Sequence, residues 1–430
     1  MKLSKLIDIL AIMVMGFLFS GLFAYFFTTK SFLGFNLLRR DLIFFLFYLL
    51  IFIRSPQVYF SDTMKLIYLY YAIFYLMRIS GHYDIDNQWF MAYHYPVFSA
   101  ILIHNYYVDS KDYHSYAKVV LAALIFVGIS AISNIYTLIR YPDATRMLSG
   151  ESSVLYTYGS LIFASIGRYG FVSAVPFIIP MLVAFHKSSG KTSLRLVITV
   201  YILVILISLF LSSLTAPILI AALCLLFSLS GQRRFKASIL VSTILLAIIA
   251  AVPTHIKSDF FYSISEMVTQ KDLSMKMRDI GYVIETGIDV SNPLSSVEER
   301  AVRIPENLKA FASNPLFGTG YEVNSHIFWL NRLAQVGLIG TIPLILILFR
   351  HMRLCLRRCD SYYRFYLLVS FLLFMVSGFM KNIVGDMFYY LLLLVPGMYY
   401  LRYLKKNSVV TAKGYSSPVA VKAISLGGEN

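Results

Sequence analysis

The segment "NPLFGTGYEVNSHIFWLNRLAQVGLIG", Asn314 to Gly340, sets a histidine between a Pro/Gly turn and the start of a long apolar run. Asn324 or Ser325 can cap the helix that follows. His326 then falls in the first helical turn, at the positive end of the helix dipole. That field favours a neutral imidazole, able to accept a proton beside a natural anion site. The same residue types also suit an interfacial histidine that only caps or hydrogen-bonds. Upstream, Pro315 ends a helix, and Gly318 and Gly320 permit turns that other residues resist. No Gly-Lys-Ser/Thr follows, so the turn is not a nucleotide phosphate loop.

Two other groupings have metal-like spacing. His351, Cys355 and Cys359 recur at i, i+4 and i+8 on one helical face. Three ligands strung that far along a single helix cannot close a tetrahedron around one zinc. Asp84 to Asp86, "DID", mimics an acidic metal motif, and an exposed turn is the expected reading. Neither a metal nor a cofactor is expected. Cys224 lies in an apolar run and the other two cysteines share one polar segment, so no outward disulfide is expected.

The elements that must position these residues follow from composition. The 430-residue chain is 58% hydrophobic and 16% aromatic, with only 14% charged residues, and its mean hydropathy is +0.70. Soluble globules carry about 25% charged residues. The chain therefore reads as an all-α, polytopic integral membrane protein. Apolar runs long enough to cross ~30 Å of hydrocarbon recur along it, and about twelve spans are expected. The first runs from Ile7 to Phe27, the ninth from Ile239 to Val252, the tenth from Ile327 to Phe349 and the twelfth from Val384 to Leu404. Residues 1–253 carry nine spans and a smaller outward loop at 140–168. Residues 254–325 form a large outward (periplasmic) loop, 326–404 add three spans, and 405–430 are a cytoplasmic tail.

Orientation comes from Lys and Arg, which collect in short cytoplasmic loops. Lys187, Lys191 and Arg195 follow the sixth span, Arg233, Arg234 and Lys236 the eighth, and Arg350, Arg353, Arg357 and Arg358 the tenth. An even span count puts all of these on one side, with both termini cytoplasmic. The net charge of +16 is then a topogenic signal and an attraction to anionic membrane lipid. Basic residues scattered over many loops make no nucleic-acid surface. Ten of the 22 acidic residues lie between Thr254 and Ser325, in a connection of a length that is more often functional than idle. Within it, "SVEERAVRIPENLKAFASNP" has the pattern of an amphipathic helix ended by Asn314-Pro315.

The order Arg300/Arg303, "NPLFGTG", His326 and "LNRLAQVGLIGTIPLI" resembles the signature of the O-antigen polymerase and O-antigen ligase superfamily (Wzy- or WaaL-like proteins). In that family a large outward loop ends in a Pro-Leu-x-Gly-x-Gly-like turn, a histidine follows, and a Gly-rich helix re-enters the membrane. "GRYGFVSAVPFIIP", with Arg168 and Gly170, is similar to the family's arginine element after the shorter outward loop. Ile327 departs from the asparagine that commonly follows the family's histidine, and "SSLTAP", Ser212 to Pro217, stands where a Ser-Arg is frequent.

The resemblance implies a GT-C-like membrane fold in the bacterial cytoplasmic (inner) membrane. It implies glycosyl transfer from an undecaprenyl-diphosphate-linked oligosaccharide to a sugar hydroxyl, without metal, alongside a chain-length regulator and a flippase. A departing diphosphate needs fixed cations, and the arginine fork suits it; Arg168, Arg300 and Arg303 are the candidates. The acceptor hydroxyl needs a proton acceptor, a role for His326 or else Glu322. Arg300 and Arg303 could equally be solvated charges beside Glu298, Glu299 and Glu306, and Lys381 and Asp386 look topological or paired. The Phe/Tyr-rich, Ala-poor composition favours a polymerase over a ligase that transfers to lipid A core. A lipid-linked oligosaccharide transporter is the alternative from another class, and the chain lacks the repeated halves typical of transporters.

Overall fold

The structure is a computed structural model. It describes residues 3–29, 40–84, 87–141, 144, 161–162, 164–166, 168–212, 214, 216–231, 253–267, 271–286, 296–321, 323 and 327–404. Side chains at 28–29, 87–93, 168–169, 271–273, 276 and 296–302 lie outside that description.

Every regular element among the described residues is helical. In chain order they are α1 (Leu3–Phe19), α2 (Gly21–Thr29), α3 (Arg40–Arg54), α4 (Asp62–Ile79), α5 (Asn87–Asp109), α6 (Tyr113–Arg140), α7 (Arg168–Ala174) and α8 (Ile179–Ser188). There follow α9 (Thr192–Leu211), α10 (Ala216–Gly231), α11 (Thr254–Met267), α12 (Lys271–Thr286), α13 (Ser296–Ser313), α14 (Phe328–Arg358), α15 (Ser361–Met380), α16 (Gly385–Tyr389) and α17 (Val395–Met398).

Among the described residues, five helical stretches are long and apolar enough to cross a membrane: Tyr113–Arg140, Gly170–Ser188, Thr192–Leu211, Phe328–Arg358 and Ser361–Met380. The bent pair α1 and α2 makes a sixth if counted as one span. Their surfaces show why water is the wrong solvent. On α6, Leu121, Ile125, Ile129, Ile132, Tyr136 and Ile139 form an exposed stripe at helical spacing, while Ser130, Asn134 and Thr137 are buried. That polarity is the reverse of a soluble helix. It lets polar groups bond between helices and leaves apolar groups to lipid. Asn134 Nδ2, for example, donates to Ser208 Oγ at 2.7 Å and Ser212 Oγ at 2.9 Å, tying α6 to α9.

Contacts between helix ends sort the bundle into two faces. At one, Arg350 pairs with Asp62 at 2.7 Å and Arg358 with Asp109 at 3.0 Å. There too Lys187 donates to Ser228 O at 2.9 Å, and Tyr107 donates to Asp8 at 3.1 Å. This end also carries Arg353, Arg357 and Arg402. At the other end Ser130 Oγ donates to Phe19 O and Ser133 Oγ to Ser165 O, and the Asp84 amide donates to Gly320 O.

The expected spans are interrupted where backbone chemistry demands it. The first, expected as one helix from Ile7 to Phe27, bends by 113° between α1 and α2, with Gly21 seated against Ala164 O where no Cβ fits. Pro176 sits in a 3-10 turn, Val175–Ile178, between α7 and α8. The twelfth span is α16, a π-turn over Tyr390–Leu394, α17 and a 3-10 turn at Tyr399–Arg402. Most of the ninth expected span lies outside the described residues, as does the tail at 405–430.

The segment read as a large loop folds into three helices, α11 to α13. Tyr262 donates to Glu285 at 2.8 Å and Ser274 to Ser265 O at 2.6 Å, closing α11 and α12 into a hairpin. The amphipathic pattern and its stop at Asn314-Pro315 match α13, which passes through Pro305 without ending.

Candidate functional site

The "NPLFGTG" turn meets a broken helix. Within α14, Gly337 has φ 60° and ψ −163°, a conformation essentially reserved for glycine. The break leaves the last carbonyls of Phe328–Val336 and the first amides of Leu338–Arg358 without intrahelical partners, and in a membrane protein those groups must be met by protein. The turn meets them. Thr319 N donates to Ala334 O at 2.8 Å and Gly320 N to Gln335 O at 2.9 Å. Tyr83 Oη donates to Val336 O at 3.0 Å. On the far side of the break, Leu338 N donates to Pro315 O at 2.9 Å and Ile339 N to Leu316 O at 3.0 Å. Gly318 and Gly320 also have positive φ, 74° and 80°. A Cβ on Gly318 would stand 2.6 Å from Gly337 N, and one on Gly320 would strike His82 O. The glycine pattern that permits the turn is here part of the backbone patch of a discontinuous helix.

The half-helix before the break carries a buried polar group of side chains. Asn331, Arg332 and Gln335 are all at most 4% exposed. The Arg332 guanidinium lies 4.9 Å from the Phe328 ring centroid and donates to Gln335 Oε1 at 3.4 Å. Its charge also acts on His94 and Tyr70, themselves hydrogen-bonded at 3.3 Å. A buried guanidinium inside an apolar helix is a functional marker, since such charges are expensive in a membrane.

Three helix ends converge beside it. Phe328 N donates to Lys381 O at 3.4 Å, joining the start of α14 to the hairpin after α15. Lys381 Nζ donates to Ser173 O on α7 at 3.4 Å. Gly170, on the same short helix, leaves room for the Asp386 side chain: a Cβ there would lie 2.7 Å from Asp386 Cγ. Lys381 is 5% exposed, and burial pulls its ammonium down to about 7, so its charge titrates near neutrality.

Arg168 opens α7 and Arg300 lies on α13, while their side chains fall outside the described residues; Arg303 is half-buried on α13. His326 and Glu322 are outside the described residues, although Ile327 and Phe328, next in the chain after His326, are buried at the α14 start. The structure therefore brings the Arg168-bearing helix and the chain just after His326 to one hairpin. Asp84 is exposed, as expected of a turn, and Asp86 lies outside the described residues.

Sequence reasoning missed Arg332 and His94, and it set Lys381 aside. For Arg332 a signal existed: it is the single charge in "FWLNRLAQVGLIG", and an ionisable residue inside a span is a site hypothesis by default. No family model matches the chain, and no curated protein matches it.

Proposed function

We propose that the protein is a membrane glycosyltransferase of the O-antigen-like polymerase kind, joining undecaprenyl-diphosphate-linked repeat units on the outer face of the bacterial cytoplasmic membrane. The observation that carries this reading is that two buried basic residues both meet Phe328 at the start of α14, Arg332 through its guanidinium over the ring and Lys381 through its backbone carbonyl, two residues after His326 in the chain. Buried cations beside a helix N-terminus suit a diphosphate. The face with Gly320, Lys381 and the three-helix insertion is assigned outward, and the face rich in Arg and Lys inward.

In the proposed step the acceptor sugar hydroxyl attacks the anomeric carbon of the donor glycan. Its proton passes to His326, the new glycosidic C–O bond forms, and the bond to the diphosphate breaks. Undecaprenyl diphosphate leaves with the bonding electron pair. Arg332 and Lys381, with Arg168, Arg300 and Arg303 as further candidates, neutralise the charge that develops there. A bound diphosphate would hold Lys381 protonated, against the effect of burial.

The test is reconstitution of the purified protein with its undecaprenyl-diphosphate repeat unit, followed by gel analysis. Wild type should give a ladder of longer lipid-linked glycans. His326→Ala should lower the rate by ~10²–10⁴-fold, the usual range for a general base, and Arg332→Gln should lower it too. Transfer only after lipid A core is added would reassign the protein as a ligase. Lipid movement across the bilayer with no transfer to either acceptor would overturn the enzyme reading.

A further inference from the structure

At the basic-rich end of the bundle, far along α14 from the break, His104, His351 and Cys355 meet in the core. One donor atom from each lies within 4.8 Å of the others, and all three residues are buried. Cys355 Sγ is 3.5 Å from His104 Nε2. A tetrahedral zinc with Zn–S of ~2.3 Å and Zn–N of ~2.0–2.1 Å holds its sulfur and nitrogen ligands ~3.5 Å apart. The ligand set spaced along one helix, His351, Cys355 and Cys359, could not close on one ion. Replacing Cys359 with His104 from α5 removes that objection, because the third ligand now comes from a facing helix.

Surrounding groups fit a metal centre. His104 Nδ1 is 2.8 Å from Tyr116 Oη, which donates onward to Leu393 O at 3.2 Å. The tyrosine proton is thus committed, Nδ1–H must donate to Tyr116, and the lone pair of His104 falls on Nε2, facing Cys355. Such an outer partner fixes tautomer and ring orientation in metal-ligating histidines. His351 Nε2 lies 2.9 Å from Leu392 O, whereas its Nδ1 is buried with no hydrogen-bond partner. A neutral imidazole donating from Nε2 carries its lone pair on that Nδ1, an acceptor that no donor meets. A cavity of about 360 Å³ lies close by, lined by Asp109, Tyr113, Arg358, Tyr399, Tyr400 and Tyr403 among others, and the ring of its Tyr400 lies 6.2 Å from that of His104.

We propose that His104, His351 and Cys355 form a binding site for one thiophilic transition-metal cation, of the Zn²⁺ or Cu⁺ class, loaded from the basic-rich face. Soft and borderline ligands of this kind select such ions over Mg²⁺ or Ca²⁺. On binding, the Cys355 thiol releases its proton to solvent, and the ion pins α5 to α14. The site is separate from the proposed glycosyl-transfer step and holds or fails independently of it.

The test uses the full-length protein in detergent, dialysed with Zn²⁺, cleared of loose metal and analysed by elemental mass spectrometry. Wild type, Cys359→Ser and Cys224→Ser should each retain one zinc per chain; Cys355→Ser and His104→Gln should fall to background. Co²⁺ should give a thiolate-to-cobalt charge-transfer band in wild type and none in Cys355→Ser. A readout on the unaltered chain covers variants that fail to fold: Zn²⁺ should slow alkylation of Cys355 at least tenfold while leaving that of Cys359 unchanged. No retained zinc in wild type, full retention in Cys355→Ser, or an unchanged alkylation rate at Cys355 would each overturn the proposal.

Discussion

Gly337→Ala is the most direct probe of the broken helix. Alanine at φ 60°, ψ −163° is strained by ~1–3 kcal/mol. Its Cβ would also stand 2.5 Å from Leu316 C and 2.6 Å from Gly318 N, rigid backbone atoms that cannot swing aside. Relief requires the turn to lift, and the first bonds lost are Leu338 N to Pro315 O and Ile339 N to Leu316 O. At ~1 kcal/mol for each net hydrogen bond, the total is roughly 3–5 kcal/mol. Gly81 is the control: its φ is 73° and a Cβ there meets nothing within 4 Å. Gly81→Ala carries conformational strain alone, ~1–2 kcal/mol. Unfolding free energies in a single detergent should therefore separate the two variants by ~2–3 kcal/mol. Hydrogen exchange should also rise at Leu338 and Ile339 in Gly337→Ala and stay unchanged in Gly81→Ala. Equal losses from both variants, with unchanged exchange at Leu338, would refute the account of the turn as a patch.

Burial lowers Lys381 from the ordinary 10.5 to about 7, so the unfolded chain takes up this proton first as pH falls. Its stability penalty is absent above 10.5, grows down to about 7 and is constant below. Lys381→Met should flatten the rise in unfolding free energy between pH 7 and 10, by at most ~5 kcal/mol at 1.36 kcal/mol for each pKa unit. Asn134→Ala removes the α6–α9 bonds and should destabilise the bundle by only ~0.5–2 kcal/mol, because the chain unfolded in lipid also finds partners. Gly170→Ala should impair glycan transfer by displacing the Asp386 side chain, and Asp386→Gly in the same chain should restore it if steric displacement is the cause. The Asp62–Arg350 pair is 2.7 Å long but its side chains are 71% and 43% exposed; Asp62→Asn should change unfolding free energy by less than ~1 kcal/mol.

The helical membrane class was legible because it depends on bulk quantities: few charges, repeated apolar runs and basic residues at alternate connections. The end of α13 was legible for a local reason, since Asn314-Pro315 disfavours helix whatever surrounds it. The break at Gly337 was not. "LAQVGLIG" remains apolar through it, and a glycine inside a membrane helix is common enough to pass unnoticed. Its positive φ is fixed by carbonyls of Pro315 and Leu316, which no window around Gly337 contains. The same limit applies to His104, 251 residues from Cys355 in the chain: spacing along one helix grouped His351 and Cys355 only with Cys359, a set that could not close on one ion, and gave no reason to bring in His104.

The two irregular stretches answer one constraint in different ways. A helix in lipid that departs from i to i−4 pairing exposes backbone groups that water cannot reach. At Gly337 the remedy is backbone: a turn from the helical insertion supplies both amides and carbonyls, so the insertion is held to the membrane domain by the break itself. At Tyr390–Leu394 the remedy is side chains, with His351 donating to Leu392 O and Tyr116 to Leu393 O. Those two residues are therefore committed to the π-turn before any ligand arrives. That commitment orders the rings around Cys355 in advance, and it makes the geometry of the proposed metal site a consequence of how the last span is built.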